Sequence, residues 1–448
     1  MKKLITTLSN IFKIDDLRGR IIITLICIVV YRLGAHIVLP GIDPEALASS
    51  NLSKQTSGGI FGLLDMFAGG AFSNASIMAL GIMPYISASI VVQLLSIAIP
   101  RFQKMQKEGE SGRKKLNQIT RWLTVLVCLG QAPGYLVNLR SQASTAMIAY
   151  SNPGLINPTF FWISSIIILT CGTLFVMWLG ERIQEKGIGN GTSIIIMIGI
   201  IARLPLNLYG ELTSRMNEGG GLVIFLIEII LWLAVIAFNI LLVQGTRKIP
   251  VQFAKKIVGN KQYGGVRQYI PLKVNTAGVM PIIFAQAIMF IPATIAQFFP
   301  SSQSMQGLLS HFIRDGFVYN SFMAILVILF TYFYTAIAMN PGQMADDMKK
   351  NGGFIPGVKP GRKTQDFIDD ILSKITLPGA VFLAIVAILP SIARILGVTT
   401  TFAQFYGGTS LLIMVGVILD TLQQIESQLL MRKYDGLMKS GQIGRAHV

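Results

Sequence analysis

The chain has 448 residues, and only 13% of them are charged, about half of the usual share in soluble globular domains. Its mean hydropathy is +0.60 and its net charge is +17. These values exclude a soluble domain of ordinary composition and indicate a protein that crosses a membrane several times. Basic residues in such a protein usually mark its cytoplasmic loops, so we expect no direct DNA binding.

Apolar windows along the chain predict ten membrane-spanning helices. The fourth and sixth windows are clean apolar runs, whereas Arg203 and Pro205 interrupt the fifth and weaken it. The ten predicted spans are residues 21–39, 76–99, 121–139, 160–179, 192–209, 222–243, 274–298, 318–339, 376–396 and 405–428.

Lys and Arg are distributed unequally between the two sides of these spans. With the N-terminus inside, the inner segments contain 31 of the 38 basic residues and the outer segments contain 6, while Arg32 lies within the first span. This bias predicts that both termini are cytoplasmic. Because ten spans divide into two sets of five, homologous halves would be inverted repeats. We expect halves at 1–209 and 210–430 and a cytosolic tail at 431–448.

Residues 60–72 read IFGLLDMFAGGAF and lie between the first two predicted spans. A helix of this length reaches only about 20 Å, which is less than the ~30 Å of bilayer hydrocarbon. Glycines flank and interrupt the segment and give it hinges, namely Gly58, Gly59, Gly69 and Gly70. From these residues alone, a re-entrant loop and a movable plug are equally good interpretations.

Two inner loops, at about 244–273 and 340–375, are long and carry seven and six basic residues. Their glycines and prolines predict hairpins or shaped tips more than a folded domain. Anchoring by the positive-inside rule needs fewer charges. Docking of a large cytosolic partner is therefore the preferred interpretation, and anchoring is the alternative.

Sequence motifs of common enzymes do not occur in the chain, which has no Walker A, HExxH, GxSxG or CxxC pattern. Its three histidines are scattered, so we expect no catalytic residues, no metal and no cofactor. The intramembrane charges Arg32, Glu228 and Asp420 lie near span ends. This position favours snorkelling or structural pairing over a transport site.

Two stretches, ALGIMPYISASIVVQLL (Ala79–Leu95) and ERIQEKGIGNGTSIII (Glu181–Ile196), resemble signature segments of the SecY family of translocase channel subunits. The segments VNTAGVMPIIFAQ, NPGQMADDMKKNGGFIPGVKPG and FYGGTSLLIMVGVILD are similar to this family too, in the same order. The resemblance implies an all-α polytopic channel of ten helices in two inverted five-helix halves around a central pore. Unfolded secretory polypeptides would cross through this pore, and transmembrane segments would leave it laterally into lipid.

The resemblance also implies roles for individual apolar residues. A ring of aliphatic side chains offers no fixed hydrogen bonds, so any sequence can slide past it, and the closed ring excludes water. The implied ring residues are Ile82, Ile86, Ile196, Val279, Ile283 and Ile413. A short plug helix would contain Ile60, Phe61, Leu63, Leu64, Met66 and Phe67.

At the lateral gate, the resemblance implies that Gln93 and Asn275 face each other across the seam between the second and seventh spans. Hydrogen bonds between membrane helices average under about 1 kcal/mol, which suits a gate that opens. The family often has arginine where this chain has Lys359, so a compact ammonium group replaces the planar guanidinium and its several hydrogen-bond donors there. The implied docking residues for a cytosolic partner are Arg247, Lys248, Lys359, Arg362 and Lys363.

The implied partners are small membrane subunits like SecE and SecG, and the SecA motor or the ribosome at the cytosolic loops. Signal sequences and nascent polypeptides would be the substrates, and the chain would reside in the bacterial cytoplasmic (inner) membrane. The alternative is a secondary transporter with inverted repeats, which would share broken helices and inverted halves. That alternative leaves the basic loops, the plug-like insert and the aliphatic ring unexplained.

Overall fold

The computed structural model describes residues 15–49, 65–143, 146–151, 157–217, 221–253, 256–258, 261–263, 267–286, 288–289 and 316–443. Most of these residues are helical. In chain order the helices are α1 (Asp15–Gly34), α2 (Pro44–Ser49), α3 (Met83–Ala98), α4 (Pro100–Lys107), α5 (Glu110–Gln142), α6 (Ile148–Ser151), α7 (Pro158–Lys186), α8 (Gly191–Asn217), α9 (Gly221–Gln244), α10 (Phe317–Ala338), α11 (Pro341–Lys350), α12 (Arg362–Ile395), α13 (Thr400–Ala403) and α14 (Gly408–Ile443). Residues 280–286 are also helical.

Seven helices among the described residues are long and apolar enough to cross a membrane. They are α5, α7, α8, α9, α10, α12 and the part of α14 up to Leu430, which correspond to predicted spans three to six and eight to ten. The bent pair of α3 and α4 is an eighth candidate. The count of ten stays a prediction, because the seventh predicted span lies largely outside the described residues and α1 carries three arginines in 20 residues.

The helix in the second predicted span is shorter than the apolar window of residues 76–99 from which the span was predicted. Residues 76–82 form turns, with Gly81 in the left-handed region at φ 56°, and the helix starts only at Met83. At its other end, α3 and α4 meet at a bend of 104°. Ile99 is extended there, at φ −109° and ψ 121°, because the proline that follows it disfavours helical angles.

Prolines lie inside α5, α8 and α12 without ending these helices. In particular, α8 runs from Gly191 to Asn217 through Pro205, although Arg203 and Pro205 weaken the sequence signal. A proline removes one backbone hydrogen bond from a helix. Ending the helix in an apolar environment would leave several backbone groups without partners, so a continuous helix costs less.

The chain forms two compact units. The described part of the first unit contains the chain up to Gly210 together with α14 from Ile413 onward. The described part of the second unit lies between Glu211 and Leu412. The predicted halves, and their inverted relation, stay a prediction.

Each unit has its own apolar core. In the first unit, Leu136 of α5 packs with Leu39 and Phe72, which come from the chain between α1 and α3. In the second unit, Val327 of α10 packs with Leu383 of α12. Both cores are built from side chains that are almost fully buried, so they exclude water.

The predicted all-α class is confirmed by the mostly helical chain, and the two basic loops add five short β-strands to it. The strands are β1 (Thr246–Phe253), β2 (Lys256–Val258), β3 (Lys261–Tyr263), β4 (Arg267–Lys273) and β5 (Gly353–Phe354). β1 pairs antiparallel with β4 on one side and with β5 on the other, and β2 pairs antiparallel with β3. The hairpins that glycine and proline predict are therefore present.

The three-stranded sheet packs against the start of α12. Ile249 and Val251 lie two positions apart on β1, so they point to the same face, and both are buried. They share an apolar cluster with Ile368 and Leu372 of α12. The opposite face of β1 presents one charged side chain, that of Lys248, and Arg247 is exposed near the start of the strand.

Candidate functional site

The predicted plug falls partly within the described residues. Ile60, Phe61, Leu63 and Leu64 lie outside them. Met66 and Phe67 are described, and only 3% and 6% of their surfaces are exposed. Residues 65–73, named here the anchored segment, form one short helical turn followed by turns, and they belong to the first unit.

Asp65 closes the anchored segment on itself. Its backbone carbonyl accepts a hydrogen bond from the amide of Gly70 at 2.8 Å, and its carboxylate Oδ1 accepts one from the amide of Ser73 at 2.8 Å. Gly69 and Gly70 have φ angles of 63° and 91°, which glycine adopts at little cost. These glycines therefore shape a tight turn whose ends are held by one acidic residue.

Two side chains of α1 hold the turn at its backbone. The Tyr31 hydroxyl donates to the carbonyl of Ala68 at 3.2 Å. Arg32 Nη1 donates to the carbonyl of Gly69 at 2.9 Å. Arg32 is therefore a structural hydrogen-bond donor, in agreement with the interpretation that span-end charges make structural contacts.

A third contact comes from α5. The hydroxyl of Tyr135 donates to the carbonyl of Phe72 at 2.9 Å, and the two rings meet edge to face with their centroids 4.8 Å apart. This geometry is favourable for aromatic pairs. The anchored segment is thus attached at its C-terminal end by both a hydrogen bond and an aromatic contact.

Helix α8 provides the closest support. A Cβ on Gly199 would lie 2.7 Å from the carbonyl oxygen of Phe67, so only glycine lets the helix approach the segment this closely. One turn later, Arg203 forms an ion pair with Asp65 and donates to Ser73 Oγ at 2.6 Å. The side chains of Arg203 and Asp65 are 27% and 11% exposed. Both ends of the segment are therefore bound to one guanidinium.

Sequence reasoning did not identify these partners of the anchored segment. Arg203 entered only as an outer charge that weakens a span, and the tyrosines were not singled out. The available signal was a glycine and an arginine four residues apart, Gly199 and Arg203, in an otherwise apolar helix. This spacing places both residues on one helix face, but it does not reveal which segment they meet.

A second polar cluster, named here the Arg215 cluster, lies in the second unit. Arg215 donates to Glu211 at 3.1 Å, to Glu228 at 2.5 Å and to the carbonyl of Gly397 at 2.6 Å. Glu211 is fully buried and also accepts hydrogen bonds from the amide and hydroxyl of Thr399. One guanidinium thus connects α8, α9 and the loop after α12, and Glu228 makes a structural contact as its span-end position suggests.

Among the predicted ring residues, Ile82, Ile196 and Ile413 are buried in the first unit, and Ile86 is half-buried. The amide of Ile86 donates to the carbonyl of Ile82 at 3.1 Å. The two isoleucines are therefore one helical turn apart, as their spacing predicts.

In the second unit, Val279 and Ile283 are both half-buried and also lie one turn apart, with Ile283 N 3.4 Å from the carbonyl oxygen of Val279. The helical turn that precedes residue 286 therefore presents both side chains on one face. The convergence of the six ring residues on one constriction stays a prediction.

The predicted gate residues have incomplete local hydrogen bonding. Gln93 Nε2 contacts Ser89 Oγ at a long distance of 3.4 Å. Asn275 is buried, and its Nδ2 donates to the carbonyl of Gly278 at 3.1 Å. Asn275 Oδ1 has no hydrogen-bond partner among the described residues. A buried acceptor without a partner is costly, so this amide is suited to a contact that forms in only one state.

The predicted docking residues are exposed on the second unit. Arg247 and Lys248 lie on β1, and Lys359 lies in the turn before α12, with Arg362 and Lys363 in the first turn of that helix. The turn is shaped by Gly357 and Gly361, whose φ angles are 85° and 100°. Thr364 Oγ1 donates to the carbonyl of Lys359 at 2.9 Å and fixes the turn.

Within the described ranges, no three His, Cys, Asp or Glu side chains are grouped in a way that could hold a metal ion. The contacts of the anchored segment are made by tyrosine and serine hydroxyls, guanidinium groups, the Asp65 carboxylate and backbone carbonyls. This arrangement can hold a peptide segment.

Comparison with known proteins gives a consistent result. A family model described as SecY matches residues 76–422. The protein translocase subunit SecY of Streptomyces scabiei is 41% identical over 440 residues, which cover 97% of this chain and all of that protein. The subunit of the same name from Chlamydia trachomatis serovar D is 42% identical over 450 residues, with 97% and 98% covered.

Solved structures are similar in fold. A structure described as a protein-conducting channel has a TM-score of 0.63 at 18% identity and covers 92% of each chain. Sec61 in a canine ribosome–channel complex from the endoplasmic reticulum has a TM-score of 0.59 at 17% identity, with the same coverage.

Proposed function

We propose a function from one premise: the chain belongs to the SecY family. It is the channel subunit of a protein translocase, a multi-pass membrane protein through which unfolded secretory polypeptides cross. Transmembrane segments leave the channel laterally into lipid. The observation that carries this proposal is the family match over residues 76–422, together with relatives about 41% identical along nearly their whole length.

The proposed seal consists of the anchored segment with its preceding residues from 60 onward, and of the aliphatic ring. Support for a plug comes from the burial of Met66 and Phe67 and from the tight turn at Gly69 and Gly70. The side chains of the ring are aliphatic, so the closed state would exclude water and ions without binding any particular sequence.

The proposed lateral gate uses Gln93 and Asn275. Support comes from the unpartnered Oδ1 of Asn275, which would gain a hydrogen bond in one state of the gate and lose it in the other. In membranes such a bond is worth under about 1 kcal/mol on average, so it biases the gate without locking it.

For docking, we propose that the exposed cluster of Lys359, Arg362 and Lys363 binds the SecA motor or the ribosome. Lys359→Glu should reduce translocation about tenfold to a hundredfold, because a charge-assisted hydrogen bond of about 1.5–3 kcal/mol is lost. Lys359→Arg should be tolerated, since it keeps the charge and adds donors. The assay is precursor translocation into vesicles at matched protein level, together with binding of SecA and of ribosomes.

The matched control for this cluster is Lys374→Glu, because Lys374 is exposed on α12, the helix that begins at Arg362, and its described ion pair is with the exposed Asp370. It should change translocation little. Normal translocation and normal partner binding by Lys359→Glu would indicate that the loop serves only as a positive-inside anchor.

The remaining proposals concern location and partners. Both termini are proposed to be cytoplasmic in a bacterial inner membrane, because 31 of 38 basic residues fall in the segments on that side. Small subunits like SecE and SecG are proposed to accompany the chain. Support includes α9, whose apolar 18-residue stretch is only 6% buried among the described residues.

The test of the channel function is reconstitution. Vesicles with the chain, its small subunits, SecA and ATP should make a radiolabelled secretory precursor resistant to external protease. A precursor with a defective signal sequence is the control and should stay accessible. If neither precursor is protected and the vesicles instead accumulate a small solute, the secondary transporter is the better interpretation.

A further inference from the structure

We infer that Arg203 is the latch of the anchored segment: its ion pair with Asp65 sets how readily the segment leaves α8 when the channel opens. This inference rests on the proposed function, because it assumes that residues 60–72 seal the channel. It assigns a specific role to an arginine that composition alone presents as a misplaced charge within a span.

The ion pair differs in kind from the other contacts of the segment. Tyr31, Arg32 and Tyr135 all donate to backbone carbonyls. Among the described ion pairs, that of Arg203 with Asp65 is the only one that involves residues 65–73. While the segment stays bound, a carbonyl that loses its donor can accept from water, whereas the carboxylate of Asp65 without its cation keeps a full charge in a poorly solvating environment. The carboxylate therefore dominates the balance between the bound and released segment.

Position reinforces this role. Gly199 and Arg203 are one turn apart, so they share the face of α8 that meets the segment. At Gly199 the backbone of the segment lies against the helix, and at Arg203 the guanidinium contacts both Asp65 and Ser73. Because those two residues are the two ends of the segment, release of Arg203 removes one contact from each end in a single step, and the contacts with Tyr31, Arg32 and Tyr135 remain.

Partial solvent access makes the latch reversible. Arg203 is 27% exposed, and Asp65 is 11% exposed. When the segment leaves its seat, both groups can be hydrated, so the cost of separation is smaller than for a pair without water. A latch of this kind holds the idle channel closed and gives way when an entering polypeptide displaces the segment.

The test uses Arg203→Met, Asp65→Asn and the double variant, compared by ion conductance of idle channels in planar bilayers. Arg203→Met should raise conductance about tenfold to a hundredfold, since it leaves Asp65 charged, buried and without its cation. Asp65→Asn should have a smaller effect, because an amide oxygen can still accept from Ser73. The double variant should conduct less than Arg203→Met, because the uncompensated charge is gone.

Suppression by the second substitution is the decisive feature, since two changes that act independently of each other would add, whereas changes to two residues in direct contact do not. A second readout is the share of a precursor with a defective signal that is translocated, which should follow the same order. Arg140→Met is the matched control: Arg140 is an exposed arginine that lies over the Tyr150 ring and makes no described contact with the segment.

Deletion of residues 60–72 separates the two hypotheses. If the deletion raises conductance and Arg203→Met does not, the latch is wrong and the seal stands. If the deletion leaves conductance unchanged, the proposed seal is wrong, and the latch with it. Should Arg203→Met fail to insert, Arg203→Lys replaces it: Arg203 Nη2 makes both contacts, and a lysine nitrogen ends one bond nearer the backbone. Both contacts should therefore weaken while the charge is kept, so conductance should rise by a smaller factor.

Discussion

Helix α8 carries two arginines that meet carboxylates in contrasting surroundings. Arg203 pairs with a single acid, Asp65, in a short turn-rich segment, and more than a quarter of its side chain is exposed. Arg215 pairs with two acids and a carbonyl, and its side chain is 14% exposed. The acids of the Arg215 cluster are also more deeply buried, at 0% and 8%.

This difference in burial distinguishes an ion pair that can separate, that of Arg203 with Asp65, from a cluster that stays intact, that of Arg215. A pair with access to water exchanges its partner for solvent at moderate cost, whereas separation of a dry pair leaves uncompensated charges. The Arg215 cluster also joins three stretches of one unit, so its loss would disturb all of them. We therefore assign stability to the Arg215 cluster and regulation to Arg203.

The largest expected effect comes from Arg215→Met. It leaves Glu211 and Glu228 buried without their cation, which should lower the free energy of unfolding by about 3–5 kcal/mol. Thermal unfolding in detergent should show a clear fall in Tm. Lys374→Met is the control, since its exposed pair with Asp370 should contribute little. An unchanged Tm combined with raised idle conductance would make Arg215 a latch as well and remove the contrast.

A smaller effect is expected from Gly199→Ala. The added methyl group would lie 2.7 Å from the carbonyl oxygen of Phe67 and 3.2 Å from the amide of Gly69, so it pushes the segment from its seat. Overpacking of this kind costs about 1–3 kcal/mol. Because this cost falls on the contact between the segment and α8, idle conductance should rise, and Tm should fall by less than in Arg215→Met. Gly210→Ala is the matched control on the same helix, because nothing lies within 4 Å of its added Cβ. Equal idle conductance in Gly199→Ala and Gly210→Ala would contradict the close contact between α8 and the anchored segment.

How much of the fold and of the candidate site can be predicted from the sequence depends on how far apart in the chain the interacting residues lie. The apolar helices and the turn at Gly69 and Gly70 follow from local composition, and so do the hairpins of the basic loops. Local patterns also explain why residues 60–72 were not predicted to span the membrane. In each case neighbouring residues determine the outcome.

Contacts between distant parts of the chain could not be predicted in the same way. The ion pair of Arg203 with Asp65 joins residues 138 positions apart, and the hydrogen bond of Tyr135 with Phe72 joins residues 63 apart. A hydropathy profile identifies Arg203 only as a charged residue that weakens a predicted span. The β1–β4 register likewise depends on packing against α12, and loop composition does not encode it.

The smallest expected effect compares two tyrosines. Tyr135 donates to the carbonyl of Phe72 in the anchored segment, and Tyr406 donates to the carbonyl of Glu228 beside the Arg215 cluster, at 2.7 Å. Each Tyr→Phe change removes one hydrogen bond worth about 0.5–1.5 kcal/mol and keeps the ring. Tyr135→Phe should raise idle conductance slightly, and Tyr406→Phe should lower Tm slightly. If Tyr135→Phe instead lowered Tm and Tyr406→Phe instead raised idle conductance, the contrast between the anchored segment and the Arg215 cluster would be wrong.

The central claim, that the anchored segment moves while the Arg215 cluster stays in place, is tested most directly by labelling two buried alanines. Ala68 lies in the anchored segment, and Ala403 lies in the second unit with its amide bonded to the carbonyl of Thr399 at 2.8 Å. Each is replaced by cysteine in a background where Cys27, Cys128 and Cys171 are serine. A membrane-impermeant maleimide is then applied from outside. In idle channels both sites should be protected. With a precursor arrested in the channel, Ala68→Cys should be labelled rapidly, and Ala403→Cys should stay protected. Continued protection of Ala68→Cys in occupied channels would contradict the account.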